Sequence, residues 1–297
     1  MKLSNNTPKI QLILSMIIFG TIGIFRKYIE LPSSVIAMAR GFIGMVFLLV
    51  VILIKKNKLS ISALKNNFLY LILSGAFIGF NWILLFESYN YTSVAVATLC
   101  YYMAPVIVII LSPLVLREKL SSIKIISVIV ALFGMFFVSG VLKTGLGSLQ
   151  ETKGVLFGLG AALLYACVIL LNKKIKDISP VDKTIYQLGI AGIVLLPYTY
   201  LTEDFSSISL DTTSLCLLLV VGVVHTGITY YLYFGSLSGL DAQTAALYSY
   251  IDPIFAILLS ALLLKESMGI YEIVGTVLIL GSTILCELSP ALTKKRK

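Results

Sequence analysis

Residues 100–119 read CYYMAPVIVIILSPLVLREK, and residues 248–267 read YSYIDPIFAILLSALLLKES. At a constant offset of 148 residues, eight of these twenty positions carry the same amino acid. The shared positions include a tyrosine, a proline within an apolar run and a glutamate after that run: Tyr102/Tyr250, Pro105/Pro253 and Glu118/Glu266. Self-similarity at a fixed offset indicates that one structural unit occurs twice in the chain.

The composition around this repeat is typical of a membrane protein. Of the 297 residues, 58% are hydrophobic and 12% are charged, and the mean hydropathy is +0.99. Soluble domains carry about 25% charged residues, which excludes an ordinary soluble protein. Apolar runs of about 20 residues, long enough to cross a bilayer as a helix, recur along the chain. They predict an all-α polytopic membrane protein with ten transmembrane helices at 10–28, 32–54, 67–89, 92–116, 122–140, 154–174, 181–201, 213–236, 241–264 and 269–287.

The longest predicted connection divides these spans into two groups of five. We predict a first five-helix repeat over residues 1–140, an inter-repeat loop over 141–153 and a second repeat over 154–297. Because five is an odd number, the second repeat must enter the bilayer from the opposite side, so the repeats are inverted. Inverted repeats are typical of secondary transporters, in which the substrate binds near the midplane between the two repeats.

The net charge of +9 is distributed unevenly along the chain. With a cytoplasmic N-terminus, 17 lysines and arginines fall on the cytoplasmic side and five on the other, and Arg40 lies inside a span. This excess predicts cytoplasmic N- and C-termini by the positive-inside rule and explains the charge without a nucleic-acid partner. The predicted location is the cell (plasma) membrane, and the predicted partners are the lipid bilayer, a small-molecule substrate and, in one version, protons.

Two stretches of the sequence resemble a known superfamily of membrane proteins. FESYNYTSVAVATLCYYMAPVIVIILSPLVLREKLS (86–121) and YFGSLSGLDAQTAALYSYIDPIFAILLSALLLKES (233–267) resemble equivalent segments of the drug/metabolite transporter superfamily. More narrowly, the chain resembles the ten-helix permeases built from two EamA-type repeats. The resemblance implies a metabolite permease that works as an exporter. Relatives with this architecture move amino acids, amines, nucleosides and organic cations, so the resemblance leaves the substrate open.

Asp252 is the first candidate for function, because a charge near the bilayer centre is costly and needs a partner or a wet cavity. It lies halfway along the ninth span, directly before Pro253, where the first repeat has Ala104. Proline removes a backbone donor, so we expect both repeats to bend at Pro105 and Pro253. Two interpretations stay open: Asp252 caps a restarted helix, or its carboxylate faces a cavity and binds a proton or a cationic group.

Three further ionisable residues within the predicted spans are candidates for function. His225, the only histidine, is either a neutral hydrogen-bonded core residue or part of a proton relay. Arg40 keeps its charge, so it needs an acidic partner, backbone carbonyls or an anionic group of the substrate. Glu87 is a third proton-coupling candidate, although it lies near the end of its span, where it can simply reach water or pair with Arg40.

Tyrosines precede the prolines of both repeats. Tyr101 and Tyr102 precede Pro105, and Tyr248 and Tyr250 lie shortly before Asp252. If the two bends meet, these tyrosines line one chamber that can hold a cation or an aromatic ring. The alternative is packing or anchoring at the membrane interface. Further residues predicted to line this chamber are Asn81, Trp82, Tyr165, Tyr186, Gln187 and Tyr230.

The sequence has no motif of an enzyme: HExxH, GxxxxGKS and a Ser/His/Asp set at one depth are all missing. We expect no cofactor and no metal ion. The sequence predicts an alternating-access secondary transporter for a small organic metabolite, such as an amino acid, amine or aromatic compound, with proton coupling left open. The alternatives are a channel-like pore and a membrane protein that does not transport.

Overall fold

The structure is a computed structural model that describes residues 7–116, 122–138, 149–206, 208, 211–237, 248 and 251–294. Nearly all of this part of the chain is helical, and no β-strand occurs in it. The elements are α1 (Thr7–Lys27), α2 (Ser33–Ile54), α3 (Ile61–Asn66), α4 (Phe68–Tyr91), α5 (Val94–Tyr101), α6 (Ala104–Leu116), α7 (Ser122–Val138), α8 (Leu149–Asn172), α9 (Pro180–Thr202), α10 (Thr212–Val220), a π-helix (Val221–Ile228), α11 (Thr229–Leu237), α12 (Ile251–Leu263) and α13 (Ile270–Lys294). The predicted all-α class is confirmed.

Among the described residues, seven helical segments are long and apolar enough to cross a bilayer. They are Thr7–Lys27, Ser33–Ile54, Phe68–Tyr91, Val94–Val115, Leu149–Asn172, Pro180–Thr202 and Thr212–Tyr233. Shorter apolar helices at Ile125–Val138, Ile251–Leu263 and Ile270–Ser282 overlap the remaining predicted spans. The count of ten spans and the inversion of the repeats stay predictions.

Two of the long segments contain an interruption. Helix α5 ends at Tyr101, and α6 begins at Ala104, one residue before Pro105. Between α10 and α11 the chain forms a π-helix, in which each amide bonds five residues back and the turn is wider than in an α-helix. In the second half, α12 begins at Ile251, so Asp252 lies in its first turn. Tyr102 lies in the interruption between α5 and α6, and His225 and Thr226 lie in the π-helix.

Helices from the two halves of the chain interleave. Helix α4 packs against α8, α2 against α9, α7 against α13, and α1 against both α11 and α12. Glycines make two of these contacts unusually close. A Cβ on Gly20 of α1 would lie 2.8 Å from the carbonyl oxygen of Asp252, and one on Gly41 of α2 would lie 3.1 Å from that of Leu188. Residues of both halves therefore meet inside one helical bundle.

Polar contacts tie the two halves together at each end of the bundle. At the end that we call the Lys27 face, Lys27 forms an ion pair with Glu266 at 3.9 Å, and Glu266 accepts a 2.9 Å hydrogen bond from the Val94 amide. At the opposite end, the Lys55 face, the Lys55 ammonium lies 4.7 Å from the ring of Tyr231 and donates to its hydroxyl. The residues between these faces form the candidate site.

Candidate functional site

Arg40 lies in the middle of α2 with only 2% of its surface exposed. Its guanidinium stacks on the indole ring of Trp82 at 4.1 Å and lies 5.4 Å from the ring of Phe86, both on α4. Its Nε donates a 3.0 Å hydrogen bond to the hydroxyl of Thr226 in the π-helix. Arg40 forms no ion pair with any described residue. Aromatic faces stabilise the cation, yet its charge is not neutralised.

His225 is the neighbour of Thr226, and it contacts α1. Its Nε2 lies 2.7 Å from the hydroxyl of Thr21, and its ring packs edge-on against Phe25 with centroids 4.7 Å apart. The Thr21 hydroxyl already donates to the carbonyl of Ile18 at 2.7 Å, so the Nε2 must be the donor to Thr21. His225 is 1% exposed, and of its two ring nitrogens Nε2 is hydrogen-bonded while Nδ1 is buried without a described partner. A proton-relay role stays a prediction.

Asp252 is half-buried in the first turn of α12. The hydroxyl of Tyr102 donates a 2.7 Å hydrogen bond to its Oδ2. Because Tyr102 belongs to the turn between α5 and α6, this bond connects the interruption of the first half to the start of α12 in the second. Among the described residues, no backbone amide of α12 donates to the Asp252 carboxylate. The described contacts of the carboxylate are therefore with the first half of the chain, and its role in binding a proton or a cationic group stays a prediction.

Aromatic rings surround the two charged residues. The ring of Tyr101 lies 5.3 Å from that of Tyr165 on α8 and 6.2 Å from that of Tyr102. On α11, Tyr230 contacts Phe19 of α1 with centroids 5.5 Å apart. Tyr101, Tyr102 and Tyr230 are half-buried, and Tyr165 is 36% exposed. The rings of these four tyrosines are therefore not fully enclosed by the bundle.

The two opposite charges share part of this aromatic environment. The hydroxyls of Tyr89 and Tyr101 lie within electrostatic range of both Arg40 and Asp252. Arg40 and Asp252 do not form an ion pair with each other. One cation from the first half and one anion from the second thus have tyrosine neighbours in common.

Two predicted amides hold helices together. Asn81, which is 1% exposed, donates to the carbonyl of Ala161 on α8. Gln187 on α9 donates to the hydroxyl of Ser74 and to Oδ1 of Asn172, each at 2.7 Å. These bonds satisfy buried amide groups between packed helices and account for both residues without a ligand.

Glu87 lies toward the Lys27 face. It accepts a 3.4 Å hydrogen bond from the side-chain amide of Asn90 and lies within electrostatic range of Arg26. The ion pair between Glu87 and Arg40 that the sequence left open does not form. Glu87 directly follows Phe86 in α4, but its carboxylate interacts with Arg26 rather than with Arg40.

The remaining predicted residues are Tyr186, Tyr248, Tyr250, Pro105 and Pro253. The hydroxyl of Tyr186 donates to the carbonyl of Ser60 at the Lys55 face, at 2.9 Å. Tyr248 is half-buried, and no other described residue gives it a hydrogen bond or a ring contact. Tyr250 and the side chain of Pro105 lie outside the described residues. Pro253 is buried in the first turn of α12.

The sequence interpretation missed several residues that contact Arg40 or His225 or lie near them. Phe86 and Tyr89 follow Trp82 by four and seven residues, a spacing that places all three on one face of α4. That spacing was a usable signal. Thr21 and Thr226 had no such signal, because an isolated threonine in an apolar run is common and its partner is distant in sequence.

These features define the class of the protein: a multi-pass helical membrane protein with charged and aromatic residues enclosed in its bundle. Residues 8–140 and 152–287 match the model of the EamA-like transporter family. The chain belongs to this family, as its resemblance to the drug/metabolite transporter superfamily implied, and it is a transporter.

Relatives agree with this assignment. An uncharacterized transporter of Bacillus subtilis strain 168, YxxF, is 32% identical over 94% of this chain and 89% of its own length. A second one from the same organism, YoaV, is 28% identical over 84% of this chain and 85% of its own. These names indicate transporters rather than enzymes. A crystal structure shares the fold, with a TM-score of 0.66 at 16% identity, over 96% of this chain and 98% of the solved chain.

Proposed function

We propose that this protein is an alternating-access carrier of a small zwitterionic metabolite, an amino acid or a close analogue, and that it works as an exporter. Arg40 binds the carboxylate of the solute, and Asp252 binds its ammonium group. One observation carries the proposal: two opposite charges, one from each half, lie among the same tyrosines without neutralising each other.

The energetic argument is that a buried charge without a partner is costly. Removing one member of a buried ion pair costs about 3–5 kcal/mol, because the other charge stays uncompensated. A guanidinium enclosed by Trp82 and Phe86 has its face covered, but its charge still needs an anion. A zwitterion supplies that anion and also a cation for Asp252, so both sites are neutralised by one molecule that has no net charge.

The rings near Asp252 suit the rest of such a solute. Tyr101 and Tyr165 present partly exposed ring surface close to Tyr102, the hydrogen-bond donor to Asp252. Aromatic rings attract an ammonium group through their negative faces and pack against apolar or aromatic side chains. We therefore expect amino acids with apolar or aromatic side chains to bind more tightly than those with a second charge.

The contacts at the two faces support alternating access. Lys27 and Glu266 join the halves at one face, and Lys55 and Tyr231 join them at the other. Access to Arg40 and Asp252 from either side requires such contacts to separate, and a carrier opens one side at a time. The lysine-rich Lys55 face is the cytoplasmic one in the orientation that the positive-inside rule predicts.

Proton coupling follows from competition at Asp252. A protonated carboxyl group cannot neutralise an ammonium group, so a proton and the solute would occupy Asp252 alternately. Such exclusive binding produces exchange of one for the other, which allows an inward proton gradient to drive export. Asp252 is half-buried, and a group that exchanges protons must be reachable.

The proposal is tested with matched sets of three ligands: an amino acid, the amine left after removal of its carboxyl group, and the acid left after removal of its amino group. Detergent-purified protein is screened by thermal unfolding, since a ligand that binds the folded state raises the melting temperature. We expect stabilisation by the amino acid and much less by either partner. Equal stabilisation by the amine would replace the proposal with a cation carrier that uses Asp252 alone.

Flux measurements in proteoliposomes then separate a carrier from a channel. We expect saturable uptake of the radiolabelled solute that is accelerated by unlabelled solute on the other side of the membrane. A channel would instead give a current proportional to voltage and no such acceleration. A protein that does not transport would bind the solute without flux.

A further inference from the structure

Thr226 in the π-helix at Val221–Ile228, and Thr229 directly after it, have hydroxyls that follow the widened hydrogen-bonding pattern. Thr226 donates to the carbonyl of Val221 at 3.0 Å, and Thr229 donates to that of Val224 at 2.7 Å, in each case five residues back. Both threonines have no exposed surface. Single π-turns are rare and often lie at functional sites. The two threonine side chains thus make the same kind of hydrogen bond to the backbone.

Only one of the two threonines has a described contact with the candidate site. The hydroxyl of Thr226 also accepts the 3.0 Å hydrogen bond from Nε of Arg40, whereas no described arginine contacts Thr229. The Thr226 hydroxyl donates its proton to the carbonyl of Val221. This bond orients the hydroxyl oxygen, so the direction of its lone pair is set by the backbone of the π-helix. The Nε edge of Arg40 is therefore fixed from the second half of the chain.

This contact leaves a particular part of the guanidinium for other partners. A guanidinium binds a carboxylate through two parallel N–H groups. With Nε bonded to Thr226 and the face covered by Trp82, the two Nη atoms remain, and no described residue forms a hydrogen bond with them. The Nη pair of Arg40 is the edge that suits two-point binding of a carboxylate.

Thr226 packs tightly against α2, because glycines on both helices leave room for side chains of the other. A Cβ on Gly44 would lie 2.5 Å from Cγ2 of Thr226, and one on Gly227 would lie 2.4 Å from the ring of Phe47. Arg40, Gly44 and Phe47 are spaced by four and three residues, so they share one face of α2. The face that carries Arg40 is packed directly on the π-helix.

We propose that Thr226 is a positioning residue for substrate recognition: it holds Nε of Arg40 so that the two Nη atoms meet the carboxylate of the solute. The inference rests on the proposed function, and it assigns a role to the π-helix. The wide turn places the Thr226 hydroxyl between the carbonyl of Val221 and Nε of Arg40. This hydroxyl therefore connects the second half of the chain to the arginine that binds the anion.

The test compares Thr226→Val with Thr229→Val in the full-length protein. Both variants remove a hydroxyl that donates to a carbonyl five residues back, so both disturb the π-helix equally, but only the first removes a partner of Arg40. The readout is the Kd of a matched amino acid and of its decarboxylated amine, from binding to purified protein. Thr226→Ser, which keeps the hydroxyl, is the rescue variant.

We expect Thr226→Val to weaken binding of the amino acid about tenfold, the order expected for a hydrogen bond to a charged group, with little change for the amine. Thr229→Val and Thr226→Ser should change either Kd less than about threefold. Equal losses in Thr226→Val and Thr229→Val, or equal losses for the amino acid and the amine, would overturn the positioning role. If Thr226→Val does not fold, Thr226→Ala removes the same hydroxyl without a second methyl group against Gly44.

Arg40→Gln distinguishes a failure of the proposed function from a failure of the role proposed for Thr226. If Arg40→Gln binds the amino acid as tightly as the unmodified protein, the proposed function is wrong at Arg40. If Arg40→Gln loses the amino acid selectively while Thr226→Val binds it normally, the proposed function stands and the role of Thr226 is wrong.

Discussion

Arg40 and Asp252 carry the two opposite charges of the candidate site, and the protein holds them in different ways. Arg40 is 2% exposed and is fixed by Trp82, Phe86 and Thr226. Asp252 is half-buried at the start of a helix, where one hydroxyl, that of Tyr102, binds it.

The difference separates two tasks. A guanidinium does not lose its proton in a protein, so an enclosed and rigid arginine suits binding of an anion. A carboxylate can exchange its proton, and an accessible one suits a change of partner during transport. In our proposal, Arg40 is therefore the fixed anchor and Asp252 the exchangeable group.

The largest expected effect comes from removing the anchor. Arg40→Gln should lower the affinity for the amino acid on the order of 100-fold, because truncating one member of a buried charge pair costs about 2–5 kcal/mol. The measurement is binding and counterflow in proteoliposomes. Arg26→Gln is the matched control, since Arg26 is also buried but donates to the carbonyl of Ile29 and to Ser33. An equal loss of affinity in Arg26→Gln would contradict the role of Arg40 in binding the carboxylate of the solute.

Removing the charge of Asp252 should mainly abolish the coupling of transport to protons. Asp252→Asn keeps the size of the side chain and its ability to accept from Tyr102, but it cannot take up a proton. We expect solute movement driven by a pH gradient to vanish, and affinity to fall roughly tenfold through loss of one charge-assisted contact. The checks are gradient-driven flux and thermal unfolding. Unchanged coupling in a folded Asp252→Asn protein would remove Asp252 from the mechanism.

A smaller effect is expected from removing the hydrogen-bond partner that the described residues give to Asp252. Tyr102→Phe deletes the hydroxyl that donates to Oδ2 and leaves the ring in place. We expect roughly a three- to tenfold loss of solute affinity, the range for a hydrogen bond to a charged acceptor that solvent can partly replace. Tyr186→Phe is the control, because its hydroxyl bonds to the carbonyl of Ser60 at the Lys55 face. The comparison fails if both variants behave alike in the same binding titration.

The smallest change tests how closely α1 supports Asp252. A methyl group on Gly20 would lie 2.8 Å from the carbonyl oxygen of Asp252, which is backbone and cannot rotate away. Gly20→Ala should therefore lower the free energy of unfolding by about 1–3 kcal/mol, as overpacking does. Gly281→Ala is the control, because a Cβ there meets nothing within 4 Å. Denaturation in detergent measures both, and equal stabilities would show that the Gly20 contact is not tight.

Much of the site could be predicted from single residues, because a charge in an apolar run is conspicuous. Arg40 and Asp252 stand out in this way, and Trp82, Tyr101 and Tyr102 were predicted to line the same chamber. Asn81 and Gln187 stood out for the same reason, yet their buried bonds to Ala161 and Ser74 show a packing role. Polarity alone cannot distinguish the two roles, since both require a partner and only the fold supplies it.

The position of Asp252 before Pro253 shows a second limit. An aspartate before a proline is an ordinary helix cap, so local sequence left its role open. The contact with Tyr102, 150 residues away, decides that the carboxylate faces the other half of the chain.

The sequence by itself determined the apolar helices, the family and the identity of the charged groups, because hydropathy, repeats and motifs are local and additive. Tertiary structure alone decided what each charge contacts. Arg40 contacts aromatic rings and the hydroxyl of Thr226 rather than the carboxylate of Glu87. A π-helix forms where the sequence predicts an uninterrupted transmembrane helix. The physical reason is that partner choice depends on the packing of helices far apart in the chain, and local residue patterns do not contain that information.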